Sequence, residues 1–289
     1  MRRLIALGCL LLAPSPSAAL YQGTADLHGR YPAVVAIGTQ TEMLCSATKI
    51  GARRLLTAAH CVVDAQNGEL RPAFEPGREI VVNQAPVQRQ PGAGQRVTVA
   101  RTLLSPEYAR GLKAFRAYKA QQLLAAREGD SPGSALPEMT VEASLKLRLR
   151  LRYHFAARYP DVALIDLRTE TPTIPTLAVR AVAPAPGDEV VLVGYGCAQP
   201  GAKTSGPVRR GWGRTQVIRA DAINFYSMAG QKQDGAPSLC PGTSGGPVLR
   251  QGQVIGVNSV VYGLNARHGA RSNMAVNLAP LADWLDSAH

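Results

Sequence analysis

Short apolar runs, each closed by glycine, proline or polar turn residues, restrict this chain to a fold of many brief strands. One set lies at Ala33 to Gly38, Ser46 to Ile50, Arg54 to Thr57, Glu79 to Val82, Arg96 to Leu103 and Val162 to Leu167. A proline-rich join from Thr171 to Pro186 separates it from a second set at Val190 to Gly194, Gly211 to Ile218, Pro247 to Leu249, Val254 to Val261 and Met274 to Leu278. Runs of this length bounded by turn residues predict strands, and two sets flanking a join predict an all-β chain of two barrels with a crevice between them. Ala279 to Ser287 closes the chain as a helix. The 289 residues, 46% of them hydrophobic, supply a core for this arrangement. Only 18% are charged, and past the N-terminus no apolar run reaches the roughly eighteen residues of a membrane span, so neither disorder nor a spanning helix is expected.

The residues that carry chemistry sit at the ends of these runs. Cys240-Pro241-Gly242-Thr243-Ser244-Gly245-Gly246-Pro247 sets a serine between glycines directly before an apolar run. Glycine permits positive φ, so the amides of Gly242 and Ser244 can turn toward one point and form an oxyanion hole. A serine needs a base and an orienting acid to become a nucleophile. His60 follows an apolar strand and two small residues in Leu55-Leu56-Thr57-Ala58-Ala59-His60-Cys61, and Asp161 opens the buried run Asp161 to Leu167. His28, His154, His268 and His289 have no comparable surroundings and are read as surface or satisfied histidines.

The order His60, Asp161, Ser244, with the local sequences around each, resembles the chymotrypsin/trypsin-like serine endopeptidases, and the chain is similar to their bacterial secreted type. Leu56 to Cys61 resembles the family's histidine motif, Asp161 to Ile165 its aspartate motif, Gly194-Tyr195-Gly196 its Gly-Trp-Gly, and Gly256-Val257-Asn258-Ser259 the strand that receives substrate backbone. The resemblance runs from about Gly23 to Trp284 with one insertion. It implies two six-stranded antiparallel barrels with the active site between them, a catalytic triad of His60, Asp161 and Ser244, an acyl-enzyme path, protein or peptide substrates, and no cofactor or metal.

It also implies disulfides. Cys45 stands where the family has the partner of Cys61, which leaves Cys197 with Cys240. Arg2-Arg3, the apolar Leu4 to Ala13 and the small Ser17-Ala18-Ala19 read as a secretory signal peptide over residues 1–19, cleaved after Ala19 and taking Cys9 with it. Lipid attachment at Cys9 is the alternative, but the apolar stretch ahead of it is short. Four mature cysteines then suit two bridges in an oxidising compartment, secreted or periplasmic. The expected protease domain spans 20–289, with a first barrel at about 24–170, a second at about 187–278 and a C-terminal helix at 279–287.

Specificity is carried over residue by residue. Ser238 matches the pocket base where trypsin-like enzymes have aspartate, Ser259 lies on the substrate-receiving strand, and Val261 falls at a wall position that is glycine in open pockets, with Asn273 on the opposite wall. Uncharged residues of small to medium size are therefore expected before the scissile bond. Thr243 departs from the family, which carries aspartate there to pair with a new N-terminal amine. Threonine cannot form that ion pair, so either the oxyanion loop is ordered otherwise, by the Cys197–Cys240 bridge and the Thr243 hydroxyl, or the protein is inactive; the intact triad favours the first.

Residues 109–159 form an insertion with ten Lys and Arg against four Asp and Glu, a net of +6 out of the chain's +12. Ala109 to Arg127 has helical spacing of apolar residues, and Leu145 to Arg152 alternates leucine and cation as a strand. Its basic face is read as a solvated outer face. The alternative is an exosite for an anionic polymer, which in a catalytically silent relative would be the whole function. No aromatic ladder accompanies the charge, so nucleic acid is not an expected partner.

Overall fold

The computed structural model describes residues 20–129, 153–196, 208–230, 235–262 and 272–287. Thr24–Ala25 (β1) is followed by Val34–Gly38 (β2), Met43–Gly51 (β3), Arg54–Thr57 (β4), Glu79–Asn83 (β5), Val87–Gln88 (β6), Gln95–Leu104 (β7) and Ala163–Leu167 (β8). Strands β2, β3, β4, β8, β7 and β5 pair antiparallel in that order and close on themselves as a six-stranded barrel. Its interior is made by the apolar runs themselves: Val34 to Ile37, Leu55, Leu56, Ile80, Val97, Val99 and Ala163 to Ile165 are all buried.

After the join come Glu189–Gly196 (β9), Val208–Ala220 (β10), Asn224–Met228 (β11), Pro247–Arg250 (β12), Gln253–Tyr262 (β13) and Ser272–Asn277 (β14). They pair antiparallel around a second ring, β9-β10-β11-β14-β13-β12, which β12 closes onto β9. Two short strands join this sheet at β10: β1 pairs Thr24 with Trp212, and β6 pairs Val87 with Arg209. Thr24–Ala25, grouped with the first barrel on sequence, therefore belongs to the second sheet. Ahead of it, Leu20 is only 1% exposed and packs with Leu192, Val217, Phe225 and Leu239 of the second barrel. Strand β11 has no counterpart in the apolar runs, because Asn224, Tyr226 and Ser227 break its pattern, although the backbone pairs on both sides.

The helices are Ala59–Val62 (α1), Pro106–Gly129 (α2), Tyr153–Arg158 (α3) and Ala282–Ser287 (α4), the last preceded by a 3₁₀ turn at Ala279–Leu281. Helix α2 starts three residues before the expected helix, because Tyr108 and Leu112 anchor its first turns in the first barrel's core. Phe115 packs against Gly68, but farther along Leu124 is 58% exposed, so only the first half of the helix has a buried face. The expected strand at 145–152 lies outside the described residues. Among those described, no helix is long and apolar enough to cross a membrane.

Candidate active site

Each candidate side chain leaves its barrel where a strand runs out toward the crevice. Strand β4 ends at Thr57, and the fully buried Ala58 and Ala59 let α1 turn tightly so that His60 points outward. Asp161 stands just ahead of β8, held by Ser105, whose hydroxyl donates to the Pro160 carbonyl (2.7 Å) and whose amide donates to that of Val162 (3.1 Å). Its carboxylate is fully buried yet receives three donors. The His60 amide donates to Oδ1 (2.8 Å), the imidazole Nδ1 meets Oδ2 (2.6 Å), and the Ser259 hydroxyl donates to Oδ2 (2.6 Å).

These contacts bias both ionisations. Burial pushes the Asp161 carboxyl up, but the His60 charge and the hydrogen bonds from His60 and Ser259 outweigh it and hold the group below the usual carboxylate range. Burial likewise pushes His60 down, while the charge and hydrogen bond of Asp161 carry it above its ordinary value; Arg71 pulls it the other way. The imidazole is 38% exposed, so its second nitrogen, Nε2, is open to the cleft.

The serine loop meets this pair from the second barrel. Gly242 (φ +95°) and Gly245 (φ +83°) adopt backbone that side chains disfavour, and a Cβ on Gly245 would sit 2.2 Å from both the Ser46 carbonyl and the Thr57 hydroxyl. Among the described residues neither the Gly242 nor the Ser244 N–H meets an acceptor. Thr243 ties the loop to itself. Its hydroxyl donates to the Cys240 carbonyl (2.6 Å) and accepts from the Cys240 amide (3.0 Å). The Ser244 hydroxyl donates to the Ser259 carbonyl (3.0 Å).

Ser46, which sequence reasoning passed over, latches this loop to the first barrel. Its hydroxyl donates to the Gly242 carbonyl (2.8 Å) and accepts from the Tyr195 amide (2.7 Å), while its own amide donates to the Ser244 carbonyl (2.8 Å). The Ser259 hydroxyl on Asp161 was equally missed, the strand motif having suggested only backbone contacts to substrate. Neither role has a local signal, since Asp161 lies 98 residues from Ser259, and Tyr195 and Gly242 lie 149 and 196 residues from Ser46.

His60, Ser244 and Ser259 line one cleft of about 400 Å³ with Leu44, the Cys45–Cys61 disulfide, Arg71, the loop from Leu239 to Thr243, Val260 and Val261. Cys45 and Cys61 are thus bridged as expected. Cys240 is buried, and Cys197 lies outside the described residues. Val261 lines the cleft with Asn273 directly across the ladder, where Asn273 receives the Leu239 amide (2.9 Å) and donates to the Pro237 and Met228 carbonyls (2.9 Å each). Ser238 is not among the described residues that line this cleft. Its backbone pairs with Tyr21 and its hydroxyl donates to the Gly230 carbonyl (3.1 Å), while the neighbouring Leu239 does line the cleft. Among the described residues the one grouping of metal-donor side chains is Cys45, His60 and Cys61, whose sulfurs are bonded to each other and offer no thiolate.

Comparison with known proteins agrees with this fold. The family model for trypsin matches residues 20–112 and 146–285. Trypsin alpha-3 of Lucilia cuprina is 28% identical over 153 residues, which span 47% of this chain and 87% of that protein. The solved structure of mouse neuropsin, described as a serine protease expressed in the limbic system of the brain, superposes with a TM-score of 0.56 at 14% identity, over 92% of this chain and 98% of that one.

Proposed function

The chain belongs to the trypsin family of serine-type endopeptidases, and we propose that it hydrolyses peptide bonds through an acyl-enzyme built on His60, Asp161 and Ser244. The observation that carries this reading is the buried Asp161 carboxylate, bonded at once to the His60 amide, the His60 ring and Ser259, in a cleft that also holds Ser244. Asp161 fixes the imidazole with Nδ1 protonated, leaving Nε2 as the base. A turn about the Ser244 Cα–Cβ bond takes the hydroxyl off the Ser259 carbonyl, and His60 removes its proton as the oxygen attacks. The tetrahedral oxyanion takes the amides of Gly242 and Ser244, worth about 3 kcal/mol of barrier lowering. His60 then protonates the leaving amine, and water repeats the sequence on the ester.

The acyl side of the cleft, walled by Leu239, Val260 and Val261, suits an uncharged residue of modest size before the scissile bond. The Thr243 to Cys240 bonds support an oxyanion loop that is ordered without an N-terminal ion pair. The Cys45–Cys61 bridge supports an exported, oxidising setting such as a bacterial periplasm or medium, with residues 1–19 as the signal. The basic outer helix is read as solvated: Arg110 pairs with Glu107, and the Lys119 amine donates to the Gln66 carbonyl.

Labelling the signal-free protein with a fluorophosphonate tests the reading, with Ser244→Ala as control and circular dichroism as the check on folding. Labelling confined to the unmutated protein is expected. A folded protein that resists the probe overturns the reading in favour of a silent relative that binds anionic surfaces.

A further inference from the structure

We infer that Arg71 binds a carboxylate on the leaving side of the scissile bond, so that the enzyme selects substrates with glutamate or aspartate among the first residues after it. The inference rests on the acyl-enzyme reading above. That reading gives the cleft a direction. The acyl residue lies against Leu239, Val260 and Val261, while the leaving amine must pass His60 to be protonated and so runs along the opposite wall of Leu44, the Cys45–Cys61 bridge and Arg71.

Arg71 is the only cation among the described residues that line this cleft, and no carboxylate lines it. The side chain is held without being used up. Its amide donates to the Val62 carbonyl (2.8 Å), Val63 and Leu70 pair beside it, and Nε donates to the Val63 carbonyl (3.4 Å). Its two Nη groups meet no acceptor among the described residues, which leaves four N–H donors of a half-buried guanidinium free at the cleft. The acids on the same hairpin are engaged elsewhere: Asp64 accepts the Gln66 amide (2.6 Å), and Glu69 accepts the Asn67 side-chain amide (3.3 Å). Arg71 lines the same cleft as His60 and Ser244, which places it beside the reacting groups. A fork of free donors beside an apolar wall and a disulfide fits a carboxylate, with less competition from water than at an open surface.

The test uses peptide pairs that differ only in glutamate against its uncharged isostere glutamine, at the first or second position after the cleaved bond. The kcat/KM ratio within each pair cancels any uniform loss. In the unmodified protein the ratio should be about tenfold at one of these positions, the size of a partly solvated charge-assisted hydrogen bond, and should shrink as salt is added. Arg71→Gln should bring it near one, Arg71→Lys should keep part of it, and Arg71→Glu should invert it in favour of glutamine. A ratio near one in the unmodified protein, or one that persists in Arg71→Gln and so comes from the chain's general positive charge, overturns the assignment. Both results would leave fluorophosphonate labelling intact, whereas a protein that never labels fails the hydrolase reading and this inference with it.

Discussion

At the scale of single residues, the site depends on how many donors converge on one buried carboxylate. Ser259→Ala removes one of the three bonds to Asp161 while leaving both His60 contacts in place, so kcat should fall about tenfold with the fold intact, measured by steady-state hydrolysis beside circular dichroism. The pH profile gives the sign of the coupling. Asp161 raises the His60 pKa, and the enzyme needs the neutral ring, so activity should fall as pH drops through a value above 6.5. Asp161→Asn should move that limb to lower pH and reduce kcat by about 10⁴, as expected when the ring loses its fixed tautomer. An acid limb that stays in place in Asp161→Asn would assign it to another group. His60, Asp161 and Ser244 could be picked out as candidates from the sequence because each sits in a short stretch whose neighbours explain it, and the structure brings His60 against Asp161 and into one cleft with Ser244. The bonds of Ser259 and Ser46, and the place of Arg71 in the cleft, could not be, since they exist only once two barrels or two arms of a hairpin meet.

At the scale of elements, the loop from Cys240 to Gly246 shows how a departure in sequence becomes a different local solution. Thr243 cannot form an ion pair, but its hydroxyl both donates to and accepts from the Cys240 backbone, closing the turn that aims the two free amides. Thr243→Val keeps the shape and strands the Cys240 amide, while the Cys240 carbonyl keeps the Thr243 amide (3.0 Å); it should cost about 1–2 kcal/mol in denaturant unfolding and lower kcat. Acetylating the Leu20 amine should leave turnover unchanged, and a large loss would mean that the amine still orders the loop. The Cys45–Cys61 bridge ties β3 to the helix that carries His60, across a separation of 16 residues. Replacing both cysteines by alanine should cost about 3 kcal/mol by the same unfolding measurement. The elements legible from sequence were those with continuous apolar runs. Strand β11 and the two short strands at β10 were not, because backbone pairing, rather than side-chain pattern, defines them.

At the scale of the whole molecule, the cleft exists only if the two barrels hold their relative position, and a buried ion pair lies at their junction. Arg210 of β10 is 1% exposed and bonds Asp26, itself 2% exposed, at 2.7 Å. The same guanidinium donates to the Val34 carbonyl of β2 (3.1 Å), the Gln84 carbonyl (2.8 Å) and the Tyr195 hydroxyl (3.2 Å), so it joins both barrels to the N-terminal segment. Asp26→Asn leaves that charge buried without its counterion and should cost about 3 kcal/mol, far more than a surface pair. The carboxylates also set how stability responds to acid. Burial pushes Asp26 and Asp166 up, but hydrogen bonds and arginine charges, Arg210 for the first and Arg54 with Arg101 for the second, hold both below the usual 3.8. With Asp161 they contribute stability that is fully present above about pH 4 and is lost as pH falls through their depressed values. His60 works in the opposite sense. Its raised pKa contributes stability that is complete below 6.5 and disappears as pH rises through the folded value, which is the same titration that switches the base on. Chemical-denaturation stability should therefore peak on the acid side of the activity optimum, and the high-pH decline should flatten in His60→Ala; a decline unchanged in that variant would assign it to other groups.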